Sequence, residues 1–267
     1  MPTEARGAIP VALFLFAHQD DEFGVFHAIE AHRRQGRRVV CAYFTQGVNG
    51  LAPRRNAEST QVLASLGVAA EDVLFVGDQL GIDDGALVES LERADAWITR
   101  WFSSFETIER MYVTAWEGGH HDHDALHALA VHAAGRLNLL PRLRQFALYN
   151  RYRCPGPFFR VLAPLAANGP VETAAIPFSR RLAYLRLCLQ YPSQRMTWIG
   201  LFPFVLLHYL LHGGQALQSV RCERIEERPH PGTLYYEHRN FYRWERMQER
   251  LRAWRDAPGV QAGLPET

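Results

Sequence analysis

The chain has 267 residues, 48% of them hydrophobic, and a formal charge of +1. It can bury a substantial core, and its charge balance predicts no nucleic-acid partner and no strong pull toward anionic membranes. All 29 basic residues are arginine, so a P-loop lysine, a Schiff-base lysine for pyridoxal phosphate, a Ser-Lys dyad and a kinase lysine are all excluded. Near the start, Arg6 and the apolar run 9–17 superficially resemble a signal peptide, but Glu4 interrupts the charged region and no A-x-A site follows. The run is read as a first strand. A helix over 23–35, stopped by Gly36, leads to a strand over 38–45, and the pattern repeats: helix 54–66 with Gly67 as its stop, strand 73–76, helix 86–102, strand 111–115, helix 124–136 and strand 145–149. This alternation is the signature of βαβ units and predicts an α/β fold on a mainly parallel sheet.

Beyond residue 150 the regularity breaks at Pro155, Pro157, Pro164, Pro170 and Pro177. The expectation is a single domain over 1–267, with an α/β core over 1–150 and an irregular extension over 151–267 that shapes the substrate site. Helices are predicted over 181–190 and 241–254, the latter with Phe241, Trp244, Met247, Leu251 and Trp254 as a core-facing stripe. The run 198–211 is the most hydrophobic in the chain, yet it is too short to span a bilayer and contains Pro203 and His208. It predicts a buried helix or an oligomer contact, with a membrane-surface contact near a lipid-linked substrate as the alternative. Cys41, Cys154, Cys188 and Cys222 are scattered without a CxxC pair, which suggests no disulfide framework and fits a cytoplasmic setting.

Two polar clusters follow predicted strands. Ala17-His18-Gln19-Asp20-Asp21-Glu22 ends the first strand, and Gly118-Gly119-His120-His121-Asp122-His123-Asp124 follows the fourth, with His127 one turn on. First-turn acids commonly do no more than cap a helix and complement its dipole, which leaves His18 unexplained. Open α/β sheets bind ligands at the carboxyl ends of their strands, so the fold brings both clusters to one edge. Two histidines, one carboxylate and a water form the open coordination of catalytic zinc, and a second carboxylate nearby can take the water's proton. The adjacent Asp20 and Asp21 suit such a division of labour.

These segments resemble the motifs of the PIG-L/LmbE-like N-acetylglucosaminyl deacetylases: AHQDDE is similar to AHPDDE, and HHDH to HPDH. Thr45-Gln46-Gly47, Arg55, Glu58, Leu66 and Gly67 extend the likeness over roughly the first 150 residues. The resemblance implies a Rossmann-like three-layer α/β/α fold and a zinc-dependent N-deacetylase acting on an N-acetylglucosamine-containing conjugate, with Zn2+ held by His18, Asp21 and His123 and Asp20 as general base. It further implies that His120 stabilises the oxyanion or protonates the leaving amine, that Asp122 orients the His120 ring, and that Arg55 lies near substrate. Gln19 and His121 replace the family's two prolines, and His121 or His127 competes with His123 as a ligand. His123 is preferred because His127 lies deeper in the predicted helix. A zinc amidohydrolase with a non-sugar substrate, or a non-catalytic metal- or sugar-binding protein, are the competing readings.

Overall fold

The runs over 9–17 and 38–45 are apolar at odd and even positions alike, as a sheet covered on both faces requires. A computed structural model, describing residues 9–257 and Val260, places them in one seven-stranded sheet; Glu4 and Arg6 lie outside the described residues. In chain order the N-terminal part runs β1 (Val11–Phe16), α1 (Phe26–Arg34), β2 (Arg38–Tyr43), α2 (Ala52–Ser65), β3 (Val73–Phe75), a short α3 (Val76–Leu80), α4 (Leu91–Ser103), β4 (Ile108–Thr114), α5 (His121–Arg136) and β5 (Leu143–Phe146). The strand order is β3-β2-β1-β4-β5, all parallel. Leu13 and Leu15 face one core with α4 and α5, while Phe14 and Phe16 face a second core with α1 and α2. The three-layer expectation holds.

Several boundaries differ from the sequence reading. The first helix starts late, because a 3-10 turn over Asp21–Gly24 intervenes, and the fourth is preceded by another over Leu87–Ser90. The α5 helix begins at His121 rather than 124, since the His120 ring caps it by accepting from the Asp122 main-chain N–H at 3.2 Å. The expected strand 145–149 divides into β5 and a two-residue β6 (Tyr149–Asn150), which pairs with β7 (Arg160–Val161) in a separate ribbon.

The chain after residue 170 is more regular than its prolines suggest. It adds β8 (Val171–Ala175), α6 (Phe178–Cys188), α7 (Arg195–Leu211), β9 (Gly214–Ser219), α8 (Tyr235–His238) and α9 (Trp244–Arg255). Strand β9 pairs antiparallel with β5 and with β8, extending the sheet at its edge. Helix α9 buries Trp244, Met247, Leu251 and Trp254 as expected, but Phe241 lies before it and is exposed. All four cysteines are free.

One close approach fixes the turn after β2. A Cβ on Gly77 would lie 2.2 Å from the Thr45 carbonyl carbon, while the Thr45 hydroxyl donates to the Ala17 carbonyl at 2.7 Å. Gly77→Ala is therefore expected to destabilise the fold by about 1–3 kcal/mol, the usual cost of overpacking. Urea unfolding should show a lower midpoint at unchanged slope; an unshifted midpoint would refute the packing argument.

Candidate metal and catalytic site

Strands β1 and β4 are neighbours although β2 and β3 intervene in the sequence, so the chain reverses its order of strand addition between them. A crevice opens at the carboxyl ends of such a pair. His18 to Glu22 enter it from β1, and His120 to His123 enter from β4 through the first turn of α5.

The two segments meet directly. His18 Nδ1 lies 3.1 Å from His123 Nε2, His123 Nε2 lies 3.0 Å from Asp21 Oδ1, and His18 Nδ1 lies 3.7 Å from Asp21 Oδ2. Donors bound tetrahedrally at zinc–ligand distances stand about 3.3 Å apart, so these spacings fit one shared ion. His18, Asp21 and His123 form a buried trio able to hold a metal. Its donors are the imidazole and carboxylate types that zinc takes.

A second group, His18, Asp84, His120 and Asp122, shares His18. Its carboxylates are already engaged. Asp122 accepts from the main-chain N–H of Gly85 at 2.7 Å and of Leu87 at 3.1 Å, and its Oδ2 lies 3.1 Å from His18 Nε2. Asp84 pairs with Arg55 at 2.9 Å and lies 3.3 Å from His18 Nε2. The Asp122 carboxylate therefore turns to His18, and its oxygen is 3.9 Å from His120 Nδ1, whereas the resemblance implied that it orients His120. The physical reason is the capping geometry: His120 Nδ1 is taken by the Asp122 main-chain N–H. Asp84 has no counterpart in the sequence reading, which passes from strand 73–76 to helix 86–102 without it.

Neither competing histidine joins the trio. His121 Nε2 lies 3.0 Å from the Gly85 carbonyl, with its ring stacked on Tyr242 at 4.9 Å. His127 Nδ1 donates to the Thr114 carbonyl at 2.8 Å. Gln19 donates to the Thr45 carbonyl and to Asn56 Oδ1, both at 3.0 Å. The two residues standing where the family has proline thus tie their turns by hydrogen bonds instead of by a fixed φ.

Asp20 has φ 130° and ψ −11°, a conformation costly for a residue with a Cβ. Burial raises its carboxyl well above the ordinary range, with Asp21 and Glu22 adding to the effect against His18 and Arg55. Burial would raise Asp21 too, but His123 and His18 hold it well below. Burial lowers His120 strongly, helped by His18 and His121, and so keeps its ring neutral. With Nδ1 accepting, the proton of that neutral ring sits on Nε2.

Asp124 and Glu117 brace the β4–α5 turn. Asp124 Oδ1 accepts from the N–H groups of Glu117 and Gly118 at 3.1 and 3.2 Å. Glu117, pushed up to about 7 by burial, accepts from the N–H groups of Leu148 and Tyr149 and from Asn150. A cleft of about 500 Å³ opens above the trio. Its lining includes the polar His18, Asp20, Arg55 and His120 and the apolar or aromatic Phe159, Met196, Tyr235 and Phe241.

Solved structures share this architecture. A deacetylase of teicoplanin biosynthesis superposes with a TM-score of 0.61 at 15% identity, covering 78% of this chain and 96% of that one. The A40926 pseudoaglycone deacetylase gives 0.59 at 16% identity, covering 79% and 96%. The N,N'-diacetylchitobiose deacetylase of Pyrococcus horikoshii gives 0.54 at 16%, covering 83% and 87%. No curated protein sequence matches the chain. The fold is thus that of this class of α/β deacetylases. Residues 13–134 match the family described as "PIG-L: GlcNAc-PI de-N-acetylase".

Burial pushes His127 down to about 4. An unfolded histidine takes its proton near pH 6.5. The stability due to His127 is therefore complete above that pH and is lost as pH falls toward about 4. Thermal unfolding should show a midpoint that drops across this window, and His127→Gln a shallower drop. Equal slopes would remove His127 from the account.

Proposed function

We propose that the chain is a zinc-dependent N-deacetylase that hydrolyses the acetamide of an N-acetylglucosamine-type conjugate. The observation that carries this reading is the convergence of His18, Asp21 and His123 across β1 and β4, with Asp20 beside them on the floor of the cleft. Zinc bound there would supply an acidified water and a Lewis acid for the scissile carbonyl.

The remaining work falls to the chain's own groups. Asp20 is the general base: it lines the cleft beside the trio, and burial raises its carboxyl, which makes it a stronger proton acceptor than an ordinary aspartate. His120 presents Nε2–H to the cleft and donates to the oxyanion that develops on the acetyl oxygen. Asp122, fixed by two main-chain N–H groups, accepts from His18 Nε2–H. That leaves Nδ1 of His18 free for the metal, the carboxylate–histidine–metal arrangement that sets a ligand's tautomer and orientation. Arg55, held by Asp84, reaches the cleft wall as a donor for sugar hydroxyls. The cleft volume accommodates an amino sugar together with part of its aglycone.

Acetate release from N-acetylglucosamine conjugates, measured with zinc-loaded protein, tests this reading. Asp20→Asn should lower kcat by about 10²–10⁴-fold with metal content unchanged. His120→Gln should lower kcat by about 10²–10³-fold with KM nearly constant. Absence of acetate from every conjugate, or wild-type rates in Asp20→Asn, would overturn the assignment.

A further inference from the structure

Helix α7 is apolar on both sides, and the core uses only one. Trp198, Leu201, Val205 and Tyr209 are buried. Met196, Ile199, Pro203, Leu207 and Leu210 recur at intervals of three and four residues on the opposite stripe, and all are exposed. A surface helix of a globular protein normally carries polar side chains there. On the packed neighbour α6, Phe178 and Leu182 are exposed at the same helical spacing, followed by Arg186 and then Leu189 just past the helix end. Of the twelve exposed large hydrophobic side chains among the described residues, eight fall between Phe178 and Leu211. Concentrated on two packed helices, they are not scattered singles, and such a concentration marks an interaction surface.

Charge says what covers it. The chain is neutral as a whole, but residues 173–222 contain five arginines and no acid. Arg186 and Arg195 are exposed within the apolar face, while Arg180 is paired with Glu30. A second copy of the chain would bring another apolar, acid-free and positively charged face against this one. An anionic lipid surface offers both complements, hydrocarbon for the stripe and phosphates for the arginines. No helix among the described residues is long and apolar enough to cross a membrane, so α7 would lie in the interface plane.

We propose that the outer face of α6 and α7 docks the protein onto anionic membrane surfaces. The first turns of α7 also wall the catalytic cleft, through Met196, Thr197 and Leu201. Docking therefore holds the cleft mouth at the level of the lipid headgroups. A groove of about 750 Å³ continues the apolar face along Phe204, Leu207, Leu211 and Val171. This docking is independent of the hydrolytic reading, since it involves none of the residues assigned to chemistry.

Cosedimentation of the full chain with vesicles tests it. The protein should bind vesicles of equal parts phosphatidylglycerol and phosphatidylcholine, and bind pure phosphatidylcholine at least about tenfold more weakly, with raised salt having a similar effect. Each basic residue at such a surface contributes about fivefold in affinity, so Arg186→Ala with Arg195→Ala should weaken binding about 25-fold. Ile199→Glu with Leu207→Glu should abolish binding. All four positions are exposed, so circular dichroism melting should match wild type for both double variants. Wild-type protein left in the supernatant, or unchanged binding by the Ile199→Glu, Leu207→Glu variant, would overturn the proposal. So would a dimer that this variant splits while vesicles capture neither protein.

Discussion

The parallel pairing of β1 with β4 is the constraint from which the site follows. Leu13 aligns with Met111 and Leu15 with Val113, so the two carboxyl ends finish side by side. Residues about a hundred positions apart then share one pocket, with His123 touching both His18 and Asp21. Nothing in either loop could arrange this alone. The sheet supplies the adjacency, and buried turns supply the aim, as when Asp124 accepts from the main-chain N–H groups of Glu117 and Gly118.

Electrostatics explains why so polar a pocket is tolerated. Asp20, Asp21, Glu22 and Asp122 are buried together, and Asp84 lies at their edge. Buried carboxylates without partners are costly, and the local compensation is Arg55, the histidines and main-chain N–H groups. A divalent cation between His18, Asp21 and His123 would relieve the same excess. A metal held there would thus answer a need of the fold as well as of the proposed chemistry.

Much of this was legible in the sequence because periodicity and composition are local signals. The β1, β2 and β4 runs are apolar at both parities, and the His-rich turn follows β4 without ambiguity. What escaped depended on tertiary contacts. The early start of α5 rests on the His120 ring acting as a cap, which spacing does not announce. The turn of Asp122 toward His18 needs both loops in place. Strand β8 is an edge strand exposed at every residue, so it carries no alternation to read. Asp84 sits in a polar turn that becomes part of the site only because Asp122 and His121 bind the backbone of Gly85.

The backbone at Asp20 carries a cost that its proposed role as base would explain and stability alone would not. A positive φ in a residue with a Cβ stores about 1–3 kcal/mol, and glycine would relax it. The proposed base is thus also the point where the native chain is spring-loaded. Glycine there would give a sturdier backbone, and the carboxylate is held at the expense of robustness.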